Sequence, residues 1–470
     1  MKKVLFVSAA LLAFAVSANA QHVQEVQEEF QYNQYGQKVQ SVPVDARLQD
    51  GILVFQSKQA NYKMWFDVRV QGDAAVYFGY DKNLISIGNG MSMRRTRFAV
   101  KAQLDENWYG EIDTDWTSGT PELKDAILEY TGVPNLSIKM GNFKENFSIQ
   151  RNTTSRYLQF MERPMVTSLA PSRHMGIAAT WSCPLVWVSG GVFGPELKSS
   201  EEMTCMEDGN KDYGLNEGLS YTGKVAIRPI NNQTSSLHIG AAVSYREPKL
   251  TSTDGYNATR YSSRNSTSIN RKKFLDTDAI KGLDHELAYT VELAGHWKQL
   301  RYEGAYIARS AYLDPEKSVI PKDELGPQTA DGWYVQAGWL LFGGQQNYDS
   351  KGGKYTRINP GRSWGDVELC ARYEVADFNC SKYYAGGSAQ AFTLGLNFYP
   401  TKNVKFVINY QYNINDKYAN GKGANDGTDE AAKWFVGYDA DGNKCKVPSQ
   451  IVGNTGICYS MLACRFQVAF

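Results

Sequence analysis

From Met461 to Phe470 the chain reads M-L-A-C-R-F-Q-V-A-F, and its two parities differ in character. Leu462, Cys464, Phe466, Val468 and Phe470 make one row; Ala463, Arg465, Gln467 and Ala469 make the other. A strand sends alternate residues to opposite faces. One face is therefore apolar to its last residue, and the other mixes small and polar groups. A strand of this kind that runs out on an aromatic is the pattern with which outer-membrane barrels finish. The rest of the chain can be tested against that expectation.

The pattern recurs in segments of about 9–13 residues, the length that crosses a bilayer when tilted. Met64, Phe66, Val68 and Val70 oppose Lys63, Asp67, Arg69 and Gln71; Phe98, Val100 and Ala102 oppose Arg97, Lys101 and Gln103. Later, Leu287, Tyr289, Val291 and Leu293 oppose Thr290 and Glu292, and Val367, Leu369, Ala371 and Tyr373 oppose Glu368, Arg372 and Glu374. The apolar rows carry almost no charge. Trp and Tyr gather near their ends, as an interfacial girdle requires. The count comes to roughly 16 strands, which predicts an all-β, transmembrane antiparallel barrel with long external loops and short periplasmic turns. A soluble sandwich also alternates, but its polar face meets bulk water.

The flanking sequence sets the compartment. Lys2 and Lys3, the apolar run from Val4 to Val16 and A-N-A at 18–20 predict a signal peptide over residues 1–20. Residues 21–59, rich in Gln and Glu, read as a polar periplasmic leader, and 60–470 as the barrel. Beyond residue 20 no stretch of ~18 apolar residues occurs, so membrane insertion requires a closed barrel. Loss of the signal takes the formal charge from +1 to about −1, so overall charge points to no partner. Seven cysteines leave at least one unpaired. No Cys/His spacing suits a metal, no cofactor is expected, and nothing resembles a nucleic-acid signature. The five histidines fall in no nucleophile or metal motif. Glu111, Asp113 and Asp115 share a strand face but read as lumen lining rather than as an acid/base set.

A barrel this wide holds water unless something plugs it, and charges at its narrowest point then select the solute. The inward rows supply both signs in near balance. The basic cluster Arg94, Arg95, Arg97 and Lys101, with Arg69 on the preceding strand, is the candidate anion path. One connection breaks the rhythm of short turns. Residues 343–365, with Lys351, Lys354, Arg357 and Arg362, form either a solvated periplasmic loop or a segment folded into the pore.

Several stretches carry a resemblance over about 50–470. They are R-R-T-R-F-A-V at 94–100, E-L-K-D-A-I-L-E-Y-T-G at 122–132, G-N-F-K-E-N-F-S at 141–148 and T-S-R-Y-L-Q-F-M-E-R at 154–163. F-L-D-T-D-A-I at 274–280, G-W-Y-V-Q-A-G at 332–338, L-G-L-N-F-Y-P at 394–400 and the terminal Q-V-A-F continue the series. In this order they resemble the phosphate-selective porins O and P. The resemblance implies a 16-stranded homotrimer in the outer-membrane lipid of a Gram-negative bacterium, its pore narrowed by inward loops and lined by basic side chains. It adds Arg151 to Arg69, Arg94 and Arg95 as site positions. It places Asp349 and Asn359 where the family has lysines, with Lys351, Lys354 and Arg357 around them. Lys124 stands where the family has an acid.

The expected function is passive diffusion of small anionic solutes, phosphate or polyphosphate, through a water-filled barrel that is not an enzyme. The alternatives are a porin of the same build for a peptide or glycan, and a surface adhesin or enzyme barrel.

Overall fold

Sixteen antiparallel strands, each paired with its neighbour in sequence, make a closed wall. They are β1 (Lys63–Phe78), β2 (Gly90–Gln103), β3 (Trp108–Asp115), β4 (Glu122–Val133), β5 (Leu136–Lys144) and β6 (Arg173–Ser182). Then come β7 (Val186–Phe193), β8 (Ser220–Asn231), β9 (Ser235–Arg246), β10 (Leu283–Trp297) and β11 (Leu300–Leu313). The series ends with β12 (Gln328–Leu340), β13 (Asp366–Asn379), β14 (Ala385–Tyr399), β15 (Val404–Asn415) and β16 (Tyr459–Ala469). The last strand pairs with the first from Ser460↔Phe78 to Ala469↔Arg69, so no edge is left along this seam. Below it, Ile52–Ser57 pairs with the start of β1 (Val54↔Trp65), within the segment expected to precede the barrel.

This computed structural model describes residues 30–40, 42–49, 51–58, 61–197, 218–248, 257–269, 272–420, 435–446 and 456–470. The expected signal peptide and Cys205 lie outside them. The chain divides into two units, Met1–Asp45 and Ala46–Phe470. In the first, Phe30–Tyr32 pairs with Lys38–Gln40 around a turn whose Asn33 Oδ1 accepts from the amides of Tyr35 and Gln37. The second contains the barrel.

The two parities separate as the sequence requires. Leu462 and Phe466 are each 45% exposed on the outer face, whereas Arg465 and Gln467 are 3% and 6% exposed. The same division holds for Leu394 against Thr393 and for Ile408 against Asn409. No helix among the described residues is long and apolar enough to cross a membrane. Asp105 closes the β2–β3 turn, where its carboxylate accepts from the amides of Asn107 (2.7 Å) and Trp108 (2.8 Å). Six cysteines, Cys183, Cys370, Cys380, Cys445, Cys458 and Cys464, are free thiols.

The β5–β6 connection, residues 145–172, folds into the barrel rather than over it. Phe147, Met165, Val166, Leu169 and Ala170 pack on a bed of inward alanines, among them Ala242, Ala288, Ala311, Ala330 and Ala376. The small residues of the inner rows make room for this segment. At Gly338 a Cβ would lie 2.1 Å from Gln159 Nε2, and at Gly395 one would press on the Phe160 ring at 3.1 Å.

Candidate pore and anion path

Polar wall residues of β10–β16 hold the inward segment by its backbone and by the Gln159 side chain. Ile149 N donates to Glu292 (2.7 Å), Met165 N to Glu374 (2.5 Å), and Gln159 Nε2 to Glu368 (2.7 Å). Cations grip its carbonyls: Arg301 on Tyr157 (2.8 Å), Lys405 on Leu158 (2.6 Å), Arg372 on Glu162 (2.9 Å), and Arg465 on Met161. Charge-assisted bonds of this kind contribute roughly 1.5–3 kcal/mol each. The wall charges of β10–β16 are thus consumed in fixing a lining. The open path is left beside β1–β6.

Two chambers occupy that path. The outer one, about 480 Å³, is lined by Thr117 and Ser118 of the β3–β4 connection and by Ser263, Arg264, Ser266, Thr267 and Ser268 of the β9–β10 loop. The inner one, about 830 Å³, reaches Pro134 and Asn135 of the β4–β5 turn. Arg97, Lys144 and Arg173 line both, so they mark the junction.

The structure places every residue of the expected path on these walls, but in different states. Arg94 and Arg95 are consecutive, and alternation would send one outward. Instead Gln71 pairs with Arg95 and Gly72 with Met93, leaving Arg94 as the extra residue of a bulge. A bulge re-aims a side chain, and here both guanidiniums line the outer chamber. Arg94 meets Glu162 through two bonds, 2.6 and 3.0 Å. Arg95 donates to Gln71 (2.8 Å) and lies 3.9 Å from Glu162, while Arg465 reaches the same carboxylate at 2.9 Å. Burial pushes the Glu162 carboxyl up, but the Arg94, Arg95 and Arg465 guanidiniums outweigh it and hold Glu162 well below the usual carboxylate range.

Arg97 is forked between Asp113 (3.4 Å) and Asp115 (3.1 Å), and Lys101 lies between Asp67 (2.9 Å) and Glu111 (3.4 Å). Their charges are largely answered locally. Arg69 makes no ion pair among the described residues and donates to Ser155 Oγ (2.9 Å). Lys124, between the paired residues Leu123 and Asp125, is the extra residue of a second bulge. It too turns inward and meets Glu122 at 2.7 Å. Glu111, Asp113 and Asp125 converge, but Arg97, Arg173 and Lys101 stand against them, so the cluster is a set of counter-charges.

Residues 343–365 enter the barrel from the short-turn side, the second of the two expected readings. Tyr348–Asp349 pairs with Lys354–Tyr355. Trp187 Nε1 donates to Lys351 O (2.9 Å), Tyr355 OH to Tyr302 O (2.7 Å), and the Arg301 guanidinium stacks 3.7 Å from the Tyr355 ring centre. Lys351, Lys354 and Arg357 thereby line the inner chamber. Asp349 accepts from the amides of Lys351 and Gly352. Asn359 spends its backbone on Gln345. Burial pushes the Lys354 ammonium below the usual lysine range, against the pull of Asp349.

Three cations with no carboxylate partner among the described residues complete the path. Arg151 donates to the carbonyls of Thr167 (2.8 Å) and Ala170 (2.7 Å), Arg163 to those of Gln150 (2.7 Å) and Thr153 (2.6 Å), and Lys144 to Arg151 O (3.0 Å). Burial pushes Arg151 down to about 10, and burial with the Arg151 guanidinium pushes Arg163 down to about 9. Arg151 was expected from the resemblance; Lys144 and Arg163 were not singled out. Lys139 and Lys144 are five residues apart yet both line the inner chamber, which requires one break in alternation. Gly141 lies between them at φ +117°, a conformation an L side chain rarely adopts, and a Cβ there would meet Ala126 O at 2.0 Å.

The chain is similar to several known proteins. The family model described as phosphate-selective porin O and P matches residues 66–432. Porin O of Pseudomonas aeruginosa is 23% identical over 388 residues, covering 76% of this chain and 84% of that protein. Among solved structures, the outer membrane channel DcaP of Acinetobacter baumannii is 12% identical with a TM-score of 0.47, covering 88% of this chain and 99% of its own. The trimer form of OmpT from Vibrio cholerae is 11% identical with a TM-score of 0.46, covering 87% and 100%. A closed 16-stranded barrel and a family match over most of its length give one conclusion: the chain belongs to the phosphate-selective porin O and P family and is a porin of a Gram-negative outer membrane.

Proposed function

We propose that this porin passes small anions, with phosphate or polyphosphate preferred. One observation carries the reading. Lumen charges that nearly cancel in the sequence are segregated in space. Carboxylates of β10–β16 bind the inward segment, while Lys144, Arg151 and Arg163 keep charges with no carboxylate partner beside the path. An oxyanion passing the junction exchanges hydration for these donors, and the same three side chains repel a cation. Nine cationic side chains against three carboxylates line the outer chamber, and ten against six the inner one. The preference for phosphate rests on the family and on the fork geometry of guanidinium toward tetrahedral oxyanions. A homotrimer is part of the proposal, by the same family likeness.

Titration of phosphate against chloride current through single channels tests this. Saturable reduction of the chloride current supports a phosphate site. Strictly additive currents reject it. Dissociation of a heat-labile trimer band on unboiled gels tests the assembly.

A further inference from the structure

The outer chamber is built from more than cations. Eleven of its lining residues are serines or threonines. Ser92, Ser168 and Ser172 make no side-chain hydrogen bond among the described residues, and Thr167, 2% exposed, leaves its Oγ1 without a partner. The neighbouring Arg151 Nε is likewise buried and unpartnered. A guanidinium or ammonium can only donate, whereas a hydroxyl both donates and accepts. A wall of cations alone suits orthophosphate or polyphosphate, which present acceptors in abundance. A wall that adds unengaged hydroxyls suits a solute that also carries hydroxyl donors. The chamber, at about 480 Å³, has room for a solute larger than one phosphate group.

We propose that the outer chamber is a binding site for phosphorylated polyols, sugar phosphates in particular, with the phosphoryl group toward Arg151 and Arg163 and the hydroxyl groups against Ser92, Ser168, Ser172 and Thr167. The proposal rests on the anion-path reading and narrows its substrate class. The site stands before the junction at Lys144, so it captures solute from the long-loop side.

The test uses the full-length purified porin in planar bilayers, with chloride current as the readout. Glucose 6-phosphate, orthophosphate, tripolyphosphate and glucose are added in turn to the long-loop side. Glucose 6-phosphate is expected to block at a concentration about fivefold or more below orthophosphate, a gap within reach of one or two extra hydrogen bonds. The triple variant S92A/S168A/S172A is expected to erase that gap while leaving chloride conductance and the orthophosphate block unchanged. Equal or weaker block by glucose 6-phosphate, preference for tripolyphosphate, or a gap that survives the triple variant would overturn the proposal. The zero-current potential in the same bilayers separates the two levels: a cation-selective channel sinks the anion-path reading, whereas an anion-selective channel without the sugar phosphate preference sinks only this site. Because all three serines are solvated wall residues, the unchanged conductance serves as the folding control.

Discussion

Lys144→Gln removes one charge at the junction without disturbing an ion pair. The Lys144 amine donates to Arg151 O at 3.0 Å and has no carboxylate partner among the described residues, so at a pH low enough to keep this buried amine protonated its field acts on whatever passes. At about 4 Å a unit charge is worth about 1 kcal/mol in water and about 4 kcal/mol at an effective dielectric of 20. Salt at 0.1 M, with a screening length of about 10 Å, leaves about two-thirds of the smaller figure. The variant loses both attraction for the anion and repulsion of the cation. The permeability ratio therefore changes by about 1.4 kcal/mol at least, or about tenfold. Zero-current potentials across a KCl gradient, measured on wild type and variant, read this directly. Lys298→Gln, in the exposed β10–β11 turn, is the control and is expected to leave the potential unchanged. An unchanged ratio in Lys144→Gln, with the control behaving, would show that the junction is not where selection occurs.

Four other substitutions probe the surrounding network. Glu162→Gln removes the carboxylate shared by Arg94, Arg95 and Arg465, so by the same Coulomb reckoning phosphate is expected to block chloride current about threefold more tightly as a monoanion and about tenfold as a dianion; weaker block would mean Glu162 is needed to hold the cluster in place. Arg97→Gln leaves Asp113 and Asp115 unanswered, and anion selectivity should fall further than for Lys144→Gln, as read by the same potentials. Gly338→Ala forces a Cβ against Gln159, and this overpacking is expected to cost about 1–3 kcal/mol, visible as a lower thermal transition in detergent. Finally, Lys354 loses its charge below the ordinary lysine value of about 10.4, because burial disfavours the charged form. Anion selectivity should therefore decline as pH rises toward that value, and Lys354→Met should remove that part of the decline.

Alternation made the barrel legible. Rows such as Leu462 to Phe470 cannot be apolar on one parity and polar on the other without lipid or core on one side. It also revealed which charges face inward, apart from breaks in the pattern. Arg94 and Lys124 reach the lumen through bulges, and Lys144 lies beyond an irregular Gly141; none of these has a local signature that parity alone detects. The basic cluster had already included Arg94 and the resemblance supplied Lys124, while Lys144 and Arg163 escaped notice although both lie inside the quoted stretches 141–148 and 154–163. Which inward charges stay available was beyond the sequence altogether. Glu292 and Glu374 bind the amides of Ile149 and Met165, partners 143 and 209 residues away. Only the folded chain shows that those acids are occupied and that Arg97 and Lys101 are answered, whereas Lys144, Arg151 and Arg163 are not. The long 343–365 connection was visible as an exception, and its hydrogen bonds to Trp187 and Tyr302 explain why it lies inside the barrel.

The zero-current potential of the purified wild-type porin, in a bilayer separating two KCl concentrations, tests the central claim most directly. Unanswered lysine and arginine beside the path predict a potential whose sign reports chloride as the favoured ion. A potential of the opposite sign would mean that the carboxylates of the lumen, not Lys144, Arg151 and Arg163, govern what passes.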